Sequence, residues 1–463
     1  MYNNNRDVEN LLSNPRRALL TMSLPMLFAL LVEKIQIFVD GVWCSGLGSD
    51  AMSAISMSSP IYGMIAAFGT GLGIGISAAI ARFIGAGDKE SADNATAGTI
   101  VIVFISSILA SIIMYFVAEP IIIFCGGEAD LELCMEYVYP SLIFSFFLMM
   151  NAVLAGMLRS EGAARRAMIL SVIASVVNIV LDPILIYGAG LGVLGASLAT
   201  CLSFVVITVI GLRWYLTGRT YVNLDFKNYK FNATPVKEVL IIGIPCAIEM
   251  LVQPLISVPQ NAVVYACGGE AGFVCYTYAF RFIEIALIPS IAIGKSLIPV
   301  ISAAIGQRDT EKILQSCKMT YKYILSMEVV FMIIILLGAD FFVEAFMGSE
   351  SMQALHDELA LAVRIFSLTC IFHTCRVVGT SIMEATRHAV VATVLTIARE
   401  LLFLGTFIIA AGISMHAIYW ACDVTNFIMM FVITAFAYYY IRDLVKRLQK
   451  EDSGAEEGAV RNR

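Results

Sequence analysis

Residues 99–118 read TIVIVFISSILASIIMYFVA, twenty residues without a single charge. Coiled as an α-helix with a rise of about 1.5 Å per residue, such a run is about 30 Å long, the thickness of a bilayer's hydrocarbon core. The apolar character extends back to roughly residue 95, and similar runs lie on either side of it. They fall at roughly 19–44, 54–81, 137–158, 167–187 and 192–216, and again at 239–266, 271–304, 321–339, 359–383, 389–411 and 413–441. Each is bounded by short polar or glycine-rich turns. The reading is an all-α polytopic membrane protein of twelve transmembrane helices. Composition agrees: 59% of the 463 residues are apolar and 14% charged, against about 45–50% and about 25% in a soluble domain. A water-soluble enzyme is excluded. A net charge of −6 with no basic domain leaves no nucleic-acid partner. Eleven cysteines scattered through apolar runs do not make a disulfide framework, and without a Walker loop ATP is not the energy source.

Positive charge sets the orientation. Of the thirty Lys and Arg, about twenty-four lie in the two tails and the alternate loops that share their side, among them Arg16, Arg17, Arg82, Lys89, Arg165, Arg166, Arg213, Arg219, Lys312, Arg387, Arg442 and Arg447. The opposite loops carry acids instead: Glu128, Asp130 and Glu132 in one, Asp340, Glu344 and Glu350 in another. Both termini are therefore expected in the cytoplasm. The stretch from Arg219 to Val236, with Lys227, Tyr229, Lys230 and Phe231, splits the spans six and six. The expected organisation is a cytoplasmic amino-terminal segment (1–18), a first lobe (19–218), a cytoplasmic linker (219–236), a second lobe (237–442) and a cytoplasmic, solvated tail (443–463).

The halves repeat. Ile84-Gly85-Ala86-Gly87-Asp88-Lys89 after the second span matches Ile305-Gly306-Gln307-Arg308-Asp309-Thr310 after the eighth, an offset of 221 residues. Ser23-Leu24-Pro25 matches Gly243-Ile244-Pro245 at nearly the same offset, and Leu191–Ala196 has a weaker echo at Ile413–Ile418. An even number of spans separates the copies, so the repeats are parallel, which is a transporter signature.

Ionisable groups in a membrane core cost a few kcal/mol each and mark function by default. In the first span Glu33, Gln36 and Asp40 are three and four residues apart, on one helical face. In the fifth, Ser171, Ser175, Asn178 and Asp182 form a stripe closed by Pro183, which frees a backbone carbonyl one turn back. Carboxylates, an amide and a freed carbonyl are hard oxygen ligands suited to Na⁺ or a proton relay. The plainer alternative, polar glue between helices, stands beside this one for the serines. Within its spans the first half has Glu33, Asp40 and Asp182 against Lys34, an acid excess of two. The second half balances, with Glu249, Glu284, Glu328, Glu400 and Asp423 facing Arg281, Lys295, Arg364, Arg376 and Arg399. Arg281 and Glu284, one turn apart, are expected to pair. Glu249 shares a stripe with Gln253, Ser257 and Gln260; it reads either as a protonatable or cation-contacting site or as the partner of an arginine. His373 reads as a structural residue before a titrating one. Gly69, Gly71, Gly73 and Gly75 are two interleaved small-xxx-small pairs that let helices approach.

Several of these residues also carry a family pattern. The pieces are Asp40-Gly41 closing the first span, Gly85-Ala86-Gly87-Asp88-Lys89, Leu158-Arg159-Ser160-Glu161-Gly162, and above all NIVLDPILIYG from Asn178 to Gly188 followed by LGVLGASLAT from Leu191 to Thr200. Over about residues 14–440 the chain resembles the prokaryotic multidrug and toxic compound extrusion (MATE) transporters. The resemblance implies two pseudo-symmetric six-helix lobes around a central cleft that opens alternately to each side of the membrane. It implies a secondary active antiporter, not an enzyme, exporting organic, often cationic, drug-like compounds in exchange for Na⁺ or H⁺, with no other cofactor. Asp40, Asn178 and Asp182 take the family's ion-coupling positions; Glu33, Gln36, Ser175, Glu249 and Gln253 are candidate additional cleft or proton sites. Gly41 stands where the family often has Thr, which removes one hydroxyl ligand. The expected setting is the prokaryotic plasma membrane, with the bilayer and small-molecule substrates as partners and a monomer as the assembly. The alternative is a flippase for lipid-linked saccharides of the wider superfamily, for which Arg281, Lys295, Arg376 and Arg399 would face phosphate.

Overall fold

With no water in the hydrocarbon layer, every backbone N–H and C=O must be satisfied within the chain, and a helix does this one segment at a time. The chain accordingly folds as helices joined by short turns in a computed structural model that describes residues 4–224, 232–346, 353 and 355–461. Lys227, Tyr229, Lys230, Phe231 and Glu350 lie outside the described residues. Among the described residues, eleven helices are long and apolar enough to cross a membrane, or twelve with one bent pair counted as a single span.

The first six spans are built from α2 (Pro15–Ser45), α3 (Ser49–Gly85), α4 (Lys89–Phe124), the bent pair α5 (Leu131–Ile143) and α6 (Ser145–Ser160), α7 (Ala164–Pro183) and α8 (Gly192–Leu216), preceded by a short α1 (Asn4–Leu12). The fourth span, read from hydropathy as one run, bends by 58° between α5 and α6. Helix α9 (Ala233–Ala286) is broken at Gly269, where φ is 59°; residues 233–268 make the seventh span. The eighth is residues 270–286 continued by α10 (Ile288–Gly306). There follow α11 (Thr310–Phe346), α12 (His356–Phe366) with α13 (Thr369–Ala385), α14 (Ala389–Ala411) and α15 (Met415–Arg461). The last helix thus continues through the tail, as far as Arg461. The sequence repeat is also a repeat of local geometry. Gly87 and Arg308, 221 residues apart, both take a positive φ (74° and 59°). Asp88 and Asp309 then each cap the next helix, accepting from the N–H of Ser91 at 2.9 Å and Lys312 at 2.8 Å.

Residues 1–251 together with 302–307 form one compact unit. Its axis is α3, whose most apolar window is 78% buried; the corresponding window of α4 is 28% buried, leaving Phe104, Ile108 and Phe116 of α4 for lipid. The glycines of α3 explain the difference. A Cβ on Gly73 would stand 2.6 Å from the carbonyl oxygen of Ala152 in α6, and on the other face a Cβ on Gly75 would stand 2.3 Å from that of Val239 in α9. One glycine pair thus serves each neighbour. Residues 252–301 with 308–463 form the second unit, around Phe366, Phe407 and Tyr419; Tyr419 meets Phe366 edge to face, and Tyr276 meets both Phe366 and Phe407 the same way.

After α8 the chain turns back and is pinned. The backbone N–H of Tyr221 donates to Glu161 Oε2 at 2.9 Å and that of Asn223 to Asp93 Oδ1 at 2.9 Å, while Val222 is fully buried. Glu161 sits in the turn after α6 and is itself buried. Burial pushes its carboxyl up to about 8, against the pull of the Tyr221 N–H.

Two outcomes are expected. Gly73→Val forces backbone apart, a cost of about 1–3 kcal/mol or more, and lowers the yield of monodisperse protein in detergent; Gly63→Ala, with open space around its Cβ, leaves the yield unchanged. Equal yields contradict the packing account. The folded protein holds the Glu161 proton up to about pH 8, whereas the unfolded chain releases it near the ordinary 4.5. That stabilisation is complete below the lower value and is lost as pH rises to about 8. Glu161→Gln therefore flattens the dependence of Tm on pH between about 5 and about 8; an unchanged slope contradicts it.

Candidate functional site

Helices α2 and α7 pack along each other, and their polar stripes meet. Serine, amide and carboxylate recur every three or four residues, so on each helix they fall on one side and face a partner instead of lipid. Gln36 Nε2 donates to Asn178 Oδ1 at 2.8 Å, and Ser175 Oγ donates to Gln36 Oε1 at 2.6 Å. With its oxygen so engaged, Asn178 must turn its NH₂ the other way. Nδ2 donates to Asp182 Oδ1 at 3.2 Å and to Thr200 Oγ1 of α8 at 3.3 Å. Asn178 and Asp182 are both fully buried.

Asp182 Oδ2 is buried with no donor against it, and the Asp40 carboxyl of α2 lies within hydrogen-bonding reach of Asp182. Asp40 has the thiol of Cys44 3.8 Å from Oδ1, a weak donor. Two acceptors that face each other in a buried place repel unless a proton or a cation stands between them. The phenols of Tyr62 and Tyr137 lie within the electric field of Asp40.

The frame around this pair is rigid. Pro183 follows Asp182 and cannot donate to the turn before it, and the helix widens at once into a π-turn, Ile184–Gly188, an element common at functional places in helices. Tyr187 of that turn donates to the carbonyl oxygen of Trp43 at 2.5 Å, and its ring meets the Trp43 ring edge to face at 6.3 Å. The end of α2 is thereby tied to the turn that carries Asp182.

Of the eight residues singled out from sequence, Gln36, Asp40, Ser175, Asn178 and Asp182 come together here. Glu33 is exposed and takes no part in this network. Glu249 is buried on α9 in the first unit, while Gln253 belongs to the second and lines a cavity with Gln260, Arg399 and Glu400. Ser171 bonds back to the Ala167 carbonyl of its own helix at 3.3 Å. Thr200, Cys44, Tyr62 and Tyr137 were not singled out; only Thr200 stood inside a quoted motif. The expected Arg281–Glu284 ion pair does not form: the Arg281 guanidinium lies over the ring of Tyr278, 5.9 Å from its centroid. His373 Nε2 accepts from Arg376 at 2.7 Å, a structural bond, since a guanidinium can only donate.

A family model described as MatE matches residues 25–184 and again 245–408, once in each half of the chain. Among relatives, the chain is 28% identical over 330 residues to the FAD transporter of Shewanella oneidensis, covering 69% of this chain and 72% of that protein. It is 23% identical over 432 residues to the multidrug export protein MepA of Staphylococcus haemolyticus, covering 90% and 93%. A crystal structure of MATE in complex with MaL6 superposes with a TM-score of 0.90 at 30% identity, covering 95% of this chain and 99% of that one. A MOP superfamily transporter from Pyrococcus furiosus, described as having a binding pocket of reverse polarity that suggests a different function, gives 0.89 at 30% identity over 95% and 98%. Exporters of small molecules as neighbours disfavour the lipid-linked saccharide flippase. With one family model spanning both halves and the fold shared over nearly the whole length, the chain belongs to the MatE family of multi-pass membrane transporters.

Proposed function

We propose that this protein is a secondary antiporter of the prokaryotic plasma membrane that exports organic compounds in exchange for Na⁺ or H⁺, working as a monomer with both termini in the cytoplasm. The observation that carries the reading is the Asp40–Asp182 pair: Oδ2 of the fully buried Asp182 has no donor, and the carboxyl of the half-buried Asp40 lies within reach of it. A monovalent cation or a proton completes it. Asn178 has the task of fixing the Asp182 carboxylate, Gln36 and Ser175 that of fixing Asn178, and Thr200 adds a hydroxyl oxygen beside them. The named functions of the relatives, export of drugs by MepA and transport of FAD, support the export of organic compounds.

In this reading coupling is a matter of differential affinity. A cation biases the outward-open and inward-open states only by the difference in how tightly each holds it. In the outward-open state the pair takes up the cation from outside, which disfavours the substrate-loaded form and expels the substrate. In the inward-open state the cation leaves to the cytoplasm and substrate binds again. One charge crossing 100 mV supplies about 2.3 kcal/mol, equivalent to a concentration ratio of about forty, whereas a one-for-one swap of like charges gains nothing from the voltage, so the stoichiometry decides how much of it drives export.

Dye efflux from cells or proteoliposomes under an imposed Na⁺ or pH gradient tests this. Asp40→Asn and Asp182→Asn, at normal expression, are expected to bring gradient-driven efflux down to the background without the transporter. Asn178→Leu is expected to weaken the cation dependence by about ten- to a hundredfold, as loss of an orienting partner does at metal sites, while leaving some efflux. Gradient-driven efflux that survives undiminished in both aspartate variants overturns the proposal.

A further inference from the structure

The second unit holds a cavity of about 470 Å³, within the range that accommodates drug-sized molecules. Its walls combine two chemistries. One is aromatic, from Phe273, Tyr276, Phe280 and Phe403. Tyr276 and Phe280 are stacked at 6.2 Å with planes 23° apart, and Phe366 and Phe407 brace Tyr276 edge to face from behind. The rings therefore stand as a fixed slab against which a flat molecule can lie.

The other chemistry is charged, and its balance is uneven. Both acids of the wall are engaged. Glu400, buried, pairs through Oε1 with Arg399 and receives Gln260 Nε2 at Oε2 at 3.4 Å; Glu284 is itself engaged within the protein. The guanidiniums are not used up. Arg399 is 7% exposed. Its Nη1 donates to Asn426 Oδ1 at 3.3 Å, its plane lies over Phe403 with Cζ 5.2 Å from the ring centroid, and its Nε–H is buried with no acceptor. A buried donor without an acceptor is unfavourable, and the charge of Arg399 is met by Glu400 alone among the acids of the wall. Arg281, on the same wall, is exposed, has only the Tyr278 ring beneath it and makes no ion pair with any described residue.

Glu400 is committed to Arg399 and Gln260, whereas the Arg281 guanidinium has no carboxylate among the described residues, so the cavity offers a donor-rich positive edge beside an aromatic slab. From this juxtaposition we infer that the cavity is a binding site for a flat aromatic organic anion. Arg399 and Arg281 take its carboxylate, sulfonate or phosphate, and Tyr276, Phe280 and Phe403 hold its ring system. The specificity lies in charge: a cation of the same shape meets the same rings but places its charge against two guanidiniums.

Fluorescein and rhodamine 123 share a three-ring skeleton and carry opposite charge, so they isolate that term. Binding to the purified full-length protein is read by fluorescence anisotropy at neutral pH without any ion gradient, so its outcome is separate from that of ion coupling. Fluorescein is expected to bind at least about tenfold more tightly than rhodamine 123, and Arg281→Gln to weaken fluorescein about tenfold, as charge-assisted hydrogen bonds do. Arg399→Gln alone strands the Glu400 carboxylate and endangers folding. The double variant R399Q/E400Q removes both charges together and is expected to weaken fluorescein while leaving rhodamine 123 within about twofold. Rhodamine 123 binding as tightly as fluorescein, no measurable fluorescein binding, or fluorescein binding unchanged in both Arg281→Gln and the double variant would each overturn the inference.

Discussion

A carboxylate inside a membrane protein can be paid for by a basic partner, by hydrogen-bond donors, or by a mobile ion, and for the first unit we propose the third. Asp182 has one oxygen held by Asn178 and the other turned to Asp40 with no donor supplied by the chain. The helix ends are organised to keep that arrangement. The π-turn after Pro183 and the Tyr187–Trp43 clasp fix the level of Asp182 against α2, while the close packing of α3 on α6 and α9 gives the unit a rigid axis. Repulsion between two like groups is thus held in place by packing.

The second unit resolves the same problem differently. Asp423 accepts from Thr369 Oγ1 at 2.5 Å, Arg364 pairs with Asp340 at 2.5 Å, and Glu400 is shared by Arg399 and Gln260. Only part of its acid charge is answered from within, however: both oxygens of the buried Glu328 and Oδ2 of Asp423 have no hydrogen-bond partner among the described residues. The MatE model matches both halves and Gly87-Asp88 and Arg308-Asp309 repeat the same turn and cap, so the halves share a scaffold but differ in the polar groups placed on it.

Much of this was legible because a membrane enforces a simple code. Charge-free runs of about twenty residues have one stable form, so the number of spans followed from hydropathy. The polar stripes of α2 and α7 were legible because a lone Asn or Asp among Ile and Val has no other reason to be there. What the sequence withheld depends on how helices cross. Glu33 shares a face with Asp40, yet it lies about 10 Å away along the axis, and one turn before Ser175 the matching residue of α7, Ser171, spends its hydroxyl on its own backbone. Thr200 reaches Asn178 from a third helix, a contact no spacing within one segment encodes. The 58° bend in the fourth span and the break at Gly269 were hidden because hydropathy averages over them. Arg281 illustrates the limit of the one-turn rule: two opposite charges in reach do not pair when a ring, here Tyr278, offers the cation a nearer seat.

The central claim is that Asp40 and Asp182 together hold one exchangeable cation. It is tested most directly by equilibrium binding of radioactive sodium to the purified protein, with proton uptake and release followed at the same time in weakly buffered solution. The account predicts that wild type takes up either Na⁺ with release of a proton or a proton alone, in a stoichiometric amount, and that D40N/D182N takes up neither. Cation uptake by the double variant equal to that of wild type would contradict it.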